Sequence, residues 1–552
     1  MREPLYKGLL DVDYLLQIID QIGSIRGTSR WLNEKFPNLD TTESGIRKFL
    51  AKEGEVPTPK AKVIKDARPV ASGDILAPDT RRKRLIGKRF IFTSAQNNTY
   101  VHENFLASLL RFATHKDAEL IISRFTYNKS GFQNDTKSGS DDLWYDHRLK
   151  EFIMDDSVEV AEGLVFCGEL DILPTAIDPL SGLENYTQGN SGIVPHAKVN
   201  LKSLPRLRHE PPRFLYTTGA ITQRNYIQRK AGQKADFHHV FGALYVEIDD
   251  DGVWFARQLI ADNSGEFCDL EYRYTPTGVV QSSGVMAINW GDIHIEKKDN
   301  SVQEAGWFNH DSMVKVLNPT YQFIHDLTDF SARNHHNTND PFINAELHFK
   351  ERTNVERDLE SSSEFLEKIS KYGTVVVVES NHDQAYQKWL REGNVQKDPE
   401  NAEFFHRSNA EIYKHIRLHA SDFNVYEWAL RAKSALTNVI FLREDDSFVI
   451  CNDATAEELG KIVGGIECGI HGHRGPNGSR GNSKQFKQIG RKCNLGHSHS
   501  AAILDGVYVA GVSGKLDMDY NKGPSSWSHS HIVTYPNGKR AIITMRDGKW
   551  RA

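Results

Sequence analysis

The sequence predicts an α/β protein, and three observations carry that prediction. Strand-like and helix-like segments alternate through residues 86–280, as in an α/β layer. From residue 285 onward, short apolar runs each break into aspartate, asparagine or histidine, the pattern of strands that present polar groups at the carboxyl ends of a sheet. Ahead of both, residues 11–53 place apolar side chains at helical spacing. Composition agrees. The 552 residues are 39% hydrophobic and 26% charged, which suits a globular chain of several domains and argues against long disorder. Lys+Arg number 68 against 73 Asp+Glu, a net charge of -5 that excludes a uniformly basic coat but leaves room for a local basic track. Five cysteines (Cys167, Cys268, Cys451, Cys468, Cys493) never fall as CxxC, so neither a disulfide framework nor a thiolate zinc knuckle is expected, and a reducing cytoplasm fits. No apolar run approaches the ~18–20 residues of a membrane span, and the opening MREPLYKGLLDVDYLLQIID has acids within its apolar stretch, unlike a signal peptide.

Residues 1–53 are expected to form a helical unit. Leu15, Leu16, Ile18, Ile19 and Ile22 mark a first helix, and Trp31, Leu32 and Phe36 share a face of a second. Asp40 followed by Glu43 is a capping-box-like start for a third. Three short helices bearing Arg26, Arg30, Arg47 and Lys48 resemble a helix-turn-helix module; the plainer alternative is an arm for packing or assembly. Residues 54–85, rich in Pro, Lys and Arg without a period, read as a basic linker. Residues 86–280 read as an accessory α/β domain: RFIFTSAQ as a strand, NFLASLLRFATHK as a helix, ELIISRFTY and GLVFCGEL as strands. Of its strand ends, Gln96-Asn97-Asn98 supplies no anionic or imidazole ligand to go with the acids of Gly168 to Asp171, and His238-His239 read as structural or substrate-path features.

Residues 281–552 hold the chemistry. GVMAINWGDIHIEK ends in Asp292 and His294, YQFIHDLTDF delivers Asp326 and then Asp329, and GTVVVVESNHDQ ends in Asn381-His382-Asp383. ECGIHGHRGPNG supplies His471, with His473 as a substitute, and NLGHSHS supplies His497 and His499. Imidazole nitrogens and carboxylate oxygens without thiolate favour manganese, iron or zinc. A single carboxylate shared by two such ions sets them roughly 3.5–4 Å apart around a phosphate, and Asp326 is the candidate for it. Arg474, Asn477 and Arg480, in a Gly-rich loop beside His471, suit phosphate contact, and His335 and His336 are further substrate candidates. His529 and His531, on a strand leading to an Asn-Gly hairpin turn, read as strand-surface residues.

In order, DxH, an acid, NH(D/E), a lone His and GHxH resemble the calcineurin-like metallophosphoesterase superfamily, including its SbcD-type repair exonucleases, over about half the chain. The resemblance implies a β-sandwich flanked by helices and two divalent ions, manganese foremost. It also implies roles: Asp292, His294 and His499 on the first ion, Asn381, His471 and His497 on the second, Asp326 on both. His382 would stand over the scissile phosphate as the proton donor, oriented by Asp383. Two positions depart from the pattern, His325 and Ser380 standing where glycine is usual. Beyond the motifs, SAQNNTYVHENFLASL, KAGQKADFHHVFGALYVE, HDLTDFSARNHHN and HGHRGPNGSRG resemble the DNA-transfer and host-DNA-degrading proteins of tailed bacteriophages. That implies a DNA-hydrolysing phosphodiesterase acting in the bacterial host cytoplasm, a homo-oligomer, with DNA and other early phage proteins as partners. The alternatives are a small-substrate phosphodiesterase or nucleotidase, and a DNA-binding scaffold whose metal site is not catalytic.

Overall fold

The computed structural model describes residues 11–22, 25–52, 83–127, 143–334, 337, 340–419, 422–453, 464–518 and 521–552. The chain divides into two compact units, residues 1–77 and 78–552. In the first, the helices Val12–Ile22, Ile25–Lys35 and Glu43–Lys52 enclose Leu15, Ile18, Ile25, Leu32, Leu39, Ile46 and Leu50. Each helix is too short to persist alone, so burial of the shared apolar stripe supplies its stability. Thr41 pins the second connection, its N–H donating to Asn33 Oδ1 at 2.7 Å and its hydroxyl to the Ser29 carbonyl at 3.0 Å. Two local expectations are corrected. Phe36 is exposed, and the third helix is capped by Thr42, whose hydroxyl accepts the Gly45 N–H at 3.1 Å, because Asp40 lies too far upstream in a left-handed turn (φ 41°). Arg30, Arg47 and Lys48 are exposed, and the Arg26 side chain lies outside the described residues. So does the expected linker up to residue 82; its end, Lys83–Arg84, is a strand paired in parallel with Ser157–Ala161.

The second unit is mixed α/β with several sheets. Arg89–Gln96, the helix Glu103–Lys116 and Glu119–Phe125 form a parallel crossover, which Gly242–Ile248 and Trp254–Ile260 extend antiparallel into four strands. Because strand side chains alternate, Ile91, Ile122 and Tyr245 pack on Phe105, Leu109 and Phe112 of the helix, whereas Phe90, Phe92 and Val246 face an 11-stranded sheet. That large sheet takes strands from Ser157–Ala161 to Arg213–Thr217 and from Val449–Ile450 to Val507–Val509, joined where Ala502 and Ile503 pair antiparallel with Lys202 and Leu201. Residue 280 therefore falls inside one unit.

A six-stranded sheet carries the polar strand ends. Its order is Val439–Leu442, Thr374–Val378, Tyr321–Ile324, Ala287–Asn289, Ser530–Thr534 and Arg540–Thr544, the first four parallel and the last two antiparallel. Ile288, Ile324, Val375 and Val377 pack on the helices Val355–Ile369, Asp383–Glu392 and Val425–Arg431. On the opposite face Ala287, Phe323, Val376 and Val378 meet Ile450, Ile466 and Cys468 of the large sheet. Cover on both faces explains the unbroken apolar run TVVVV. The parallel strands share one direction, so their carboxyl ends collect at one edge. Among the described residues no helix is long and apolar enough to cross a membrane.

Candidate metal centre

Backbone pairing continues past the strands and draws the motif loops together. The N–H groups of Ile293, His294 and Ile295 donate to the carbonyls of His325, Asp326 and Leu327 at 3.0, 2.8 and 3.0 Å. Gly496 donates to the His471 carbonyl at 2.9 Å, and Ser513 to the Asp292 carbonyl at 2.7 Å. Gly291, just before Asp292, donates its N–H to Nδ1 of His531 at 3.1 Å. The loops turn sharply: His294, Asp326, His497 and His499 all sit in the left-handed region, with φ of 46°, 42°, 70° and 56°. Non-glycine residues held there each cost about 1–3 kcal/mol, a strain that clusters where geometry serves a site.

Three donor clusters result: His294, Asp329 and His382 form one, and the other two share Asp326. Asp292, His294, Asp326 and His499 present ligand atoms within 4.8 Å of one another, and so do Asp326, His471 and His497. Nε2 of His499 lies 2.9 Å from Asp292 Oδ2 and 3.1 Å from His294 Nε2. Nε2 of His471 lies 3.1 Å from Asn381 Oδ1 and 3.5 Å from Asp326 Oδ1. Asp329 Oδ1 sits 3.1 Å from His294 Nδ1, so that nitrogen carries the proton and Nε2 offers its lone pair inward. The N–H of His497 donates to Asp292 Oδ2 at 2.9 Å.

The donor set fits divalent cations. Asp292, His294, Asp326, His471 and His499 are buried, yet Asp292 Oδ1, Asp326 Oδ1, His471 Nδ1 and His499 Nδ1 have no hydrogen-bond partner among the described residues. Burial and the facing Asp326 carboxylate push Asp292 well above the carboxylate range. Burial opposes ionisation of Asp326 too, but His471, His382 and His294 hold it well below its ordinary value. Burial holds His471 far down as well, and brings His497 and His499 to about 4. Neutral imidazoles around two close carboxylates, without lysine or arginine among them, are what a cation requires and what an empty apolar core would reject.

Several expected residues stand elsewhere. His382 is buried beside His294, ring centroids 4.8 Å apart, and meets Asp329 rather than Asp383. Asp383 opens the helix Asp383–Glu392, where its Oδ2 accepts from Ser380 Oγ at 2.8 Å and its own N–H donates to that hydroxyl at 3.1 Å; the helix start turns it away from His382. The dipeptide DQ after Asn-His gave no hint of this, whereas the second acid of HDLTDF was a legible signal. His473 pairs with Glu444 at 3.2 Å, leaving His471 in the cluster. Arg474, Asn477 and Arg480 ride an exposed hairpin, Arg474 bound to Glu444 at 2.9 Å; none reaches the donor clusters. His335 and His336 lie outside the described residues. His531 is buried and His529 half-buried rather than on the surface: His529 Nε2 lies 2.9 Å from the Gly514 carbonyl, and His531 holds Gly291. His238 lies 3.5 Å from Asp505, and His239 is bonded to Tyr226 and Thr222. His325 is fully buried at 5.5 Å from the His471 ring, and burial keeps it neutral by bringing it to about 4.

No protein-family model matches the chain, and no solved structure matches it. Protein A1 of Escherichia phage T5 is 45% identical over 505 residues, which cover 89% of this chain and 88% of that protein. A match of that depth along nearly the whole length shows the family: the chain belongs to that of phage Protein A1.

Proposed function

We propose that the chain is a two-metal phosphodiesterase of the calcineurin-like type that hydrolyses DNA, with manganese as the working ion. The observation that carries this reading is Asp326, one buried carboxylate shared by two donor clusters built from four separate loops. Two divalent ions bound there supply the positive charge that polarises a phosphodiester and lowers the pKa of the attacking water. The chain does the rest. Asp292, His294 and His499 would hold one ion, His471, His497 and Asn381 the other, and Asp326 would serve both. His382 donates a proton to the leaving sugar oxygen from Nε2, because its Nδ1 is committed to Asp329. Without metal, burial works against a charged His382, but the carboxylates of Asp326 and Asp329 raise its pKa above the ordinary value.

Membership of a phage family and the exposed Arg30, Arg47 and Lys48 of the helical unit favour DNA over a small metabolite as substrate. Assembly of several chains would bring their basic surfaces onto one duplex. The test is degradation of linear and circular duplex DNA by wild-type and Asp326→Asn protein, with manganese or with EDTA. Loss of both substrates only for wild type plus manganese is expected. If wild type hydrolyses a chromogenic diester but neither DNA, the small-substrate reading replaces this one.

A further inference from the structure

The segment Ser483–Gly490 separates two cavities that share Ile503 as a wall. The smaller, about 330 Å³, is lined by Gly496 and His497 of the metal centre and by Lys202 and Lys484. The larger, about 700 Å³, is lined by seven lysines and arginines and a single carboxylate, in a chain whose net charge is -5. That carboxylate, Asp505, is already engaged by Lys198 at 2.9 Å and Lys487 at 3.2 Å. Arg224, Arg491, Lys492, Lys539 and Arg540 have no carboxylate partner among the described residues. Arg540 is buried, donating only to neutral acceptors: the carbonyls of Cys493 and Gly506 at 2.9 and 2.8 Å and Asn494 Oδ1 at 2.8 Å. Burial and the neighbouring cations lower the pKa of both Lys492 and Lys539. Convergent cations with only Asp505 and Asp262 as counter-charge destabilise the fold unless an anion arrives.

A second feature points to the kind of anion. Phe237 lines the same cavity and is 83% exposed, a large aromatic ring left in solvent beside the basic cluster. Basic grooves with exposed aromatics bind single-stranded nucleic acid, cations taking the phosphates and rings stacking the bases. The strand Lys492–Leu495 starts at this cavity and leads into Gly496 and His497, a path of about 16 Å at strand rise. We propose that this cavity holds a stretch of polynucleotide strand outside the metal centre, with Lys492, Lys539 and Arg224 on its phosphates and Phe237 stacked on a base. The proposal rests on the nuclease reading for its purpose: a strand held here positions the phosphodiester at Asp326.

The test uses the full-length protein and a labelled single-stranded DNA oligonucleotide in EDTA, read by fluorescence anisotropy over a series of salt concentrations. Lys492→Ala combined with Lys539→Ala is expected to weaken binding about tenfold and to flatten the log–log salt slope by about 1.4, two phosphates' worth. Phe237→Ala is expected to weaken it at least about fivefold with the slope unchanged. Replacing both lysines by arginine restores the affinity. Manganese-dependent turnover of a small chromogenic diester stays at the wild-type level in all variants, which also reports that they fold. Unchanged affinity and slope in the double variant would overturn the site, as would displacement of the oligonucleotide by a deoxynucleoside monophosphate at equal nucleotide concentration. Lost strand binding in the double variant, alongside a wild type that fails to cut DNA, supports this site and removes the nuclease reading alone.

Discussion

Nδ1 of His382 lies 3.0 Å from the carbonyl of Asp329 and 3.4 Å from its Oδ1, while the adjacent Asp383 bonds Ser380. Asp329 also accepts from His294 and pairs with Lys297 at 3.2 Å, so one buried residue orients both groups, its carboxylate the candidate metal ligand His294 and its backbone carbonyl, with the carboxylate nearby, the candidate proton donor. On the proposed mechanism, Asp329→Asn lowers DNA cleavage about ten- to a hundredfold, the usual cost of losing such a supporting carboxylate. Asp383→Asn changes it less than about threefold. Burial first, then the nearby Asp326, raises Asp383 to about 7, so an asparagine imitates it closely. Cleavage rates of the two variants under saturating manganese check the difference; equal losses would return the orienting role to Asp383.

Asp326 is common to the cluster of Asp292, His294 and His499 and to that of His471 and His497. Asp326→Asn is therefore expected to lower bound manganese from two ions to one or none and to abolish cleavage. His382→Ala is expected to keep two ions and still lose about 10²–10⁴-fold in rate, the share general-acid catalysis commonly supplies. Metal content by mass spectrometry, measured beside activity, separates the two effects.

Gly496 approaches the centre so closely that a Cβ there would fall on Asp292 Oδ1 and the His325 ring. Gly496→Ala forces Asp292 or the 496–499 loop to move, which misplaces donors of both clusters. Manganese affinity is expected to fall at least about tenfold, with a smaller loss of thermal stability because the clash lies at the sheet's edge. Isothermal titration with manganese, beside a melting curve in EDTA, measures both.

His531 accepts the Gly291 N–H from within the core, and burial brings its pKa to about 3; burial likewise brings His239 to about 3 and His196 to about 4. An unfolded histidine titrates near 6.5, so the unfolded chain binds these protons first. Their contribution is fully present above about pH 6.5 and is lost as pH falls toward 3–4, which makes the metal-free protein less stable in acid. In His531→Asn the amide oxygen still accepts from Gly291, and one titrating group is gone. Melting temperatures in EDTA from pH 7.5 to 5 should fall less steeply for this variant than for wild type.

Much of the centre was legible because its signals are local. A β-branched run such as TVVVV followed by Glu-Ser-Asn-His, or Leu-Gly-His-Ser-His after a strand, needs only a few consecutive residues to declare donor types at a strand end. Asp292, His294, Asp326, Asn381, His382, His471, His497 and His499 do converge. The capping residue of the third helix was missed because Asp40 and Thr42 are both good caps, and only the chain's path through Thr41 decides between them.

The sequence by itself determined the α/β alternation, the helical unit at the start, and the order and chemistry of the donors. Each of these follows from side-chain periodicity or from what one strand end carries. The tertiary structure decided the rest: that Asp329 and not Asp383 faces His382, that His531 supports Gly291 across 240 residues, and that one sheet joins strands from both sides of residue 280. It also gathered lysines and arginines from residues 198 to 540 around one cavity. Such contacts depend on which distant segments pair and at what register, and a one-residue slip in register would turn every one of those side chains to the other face.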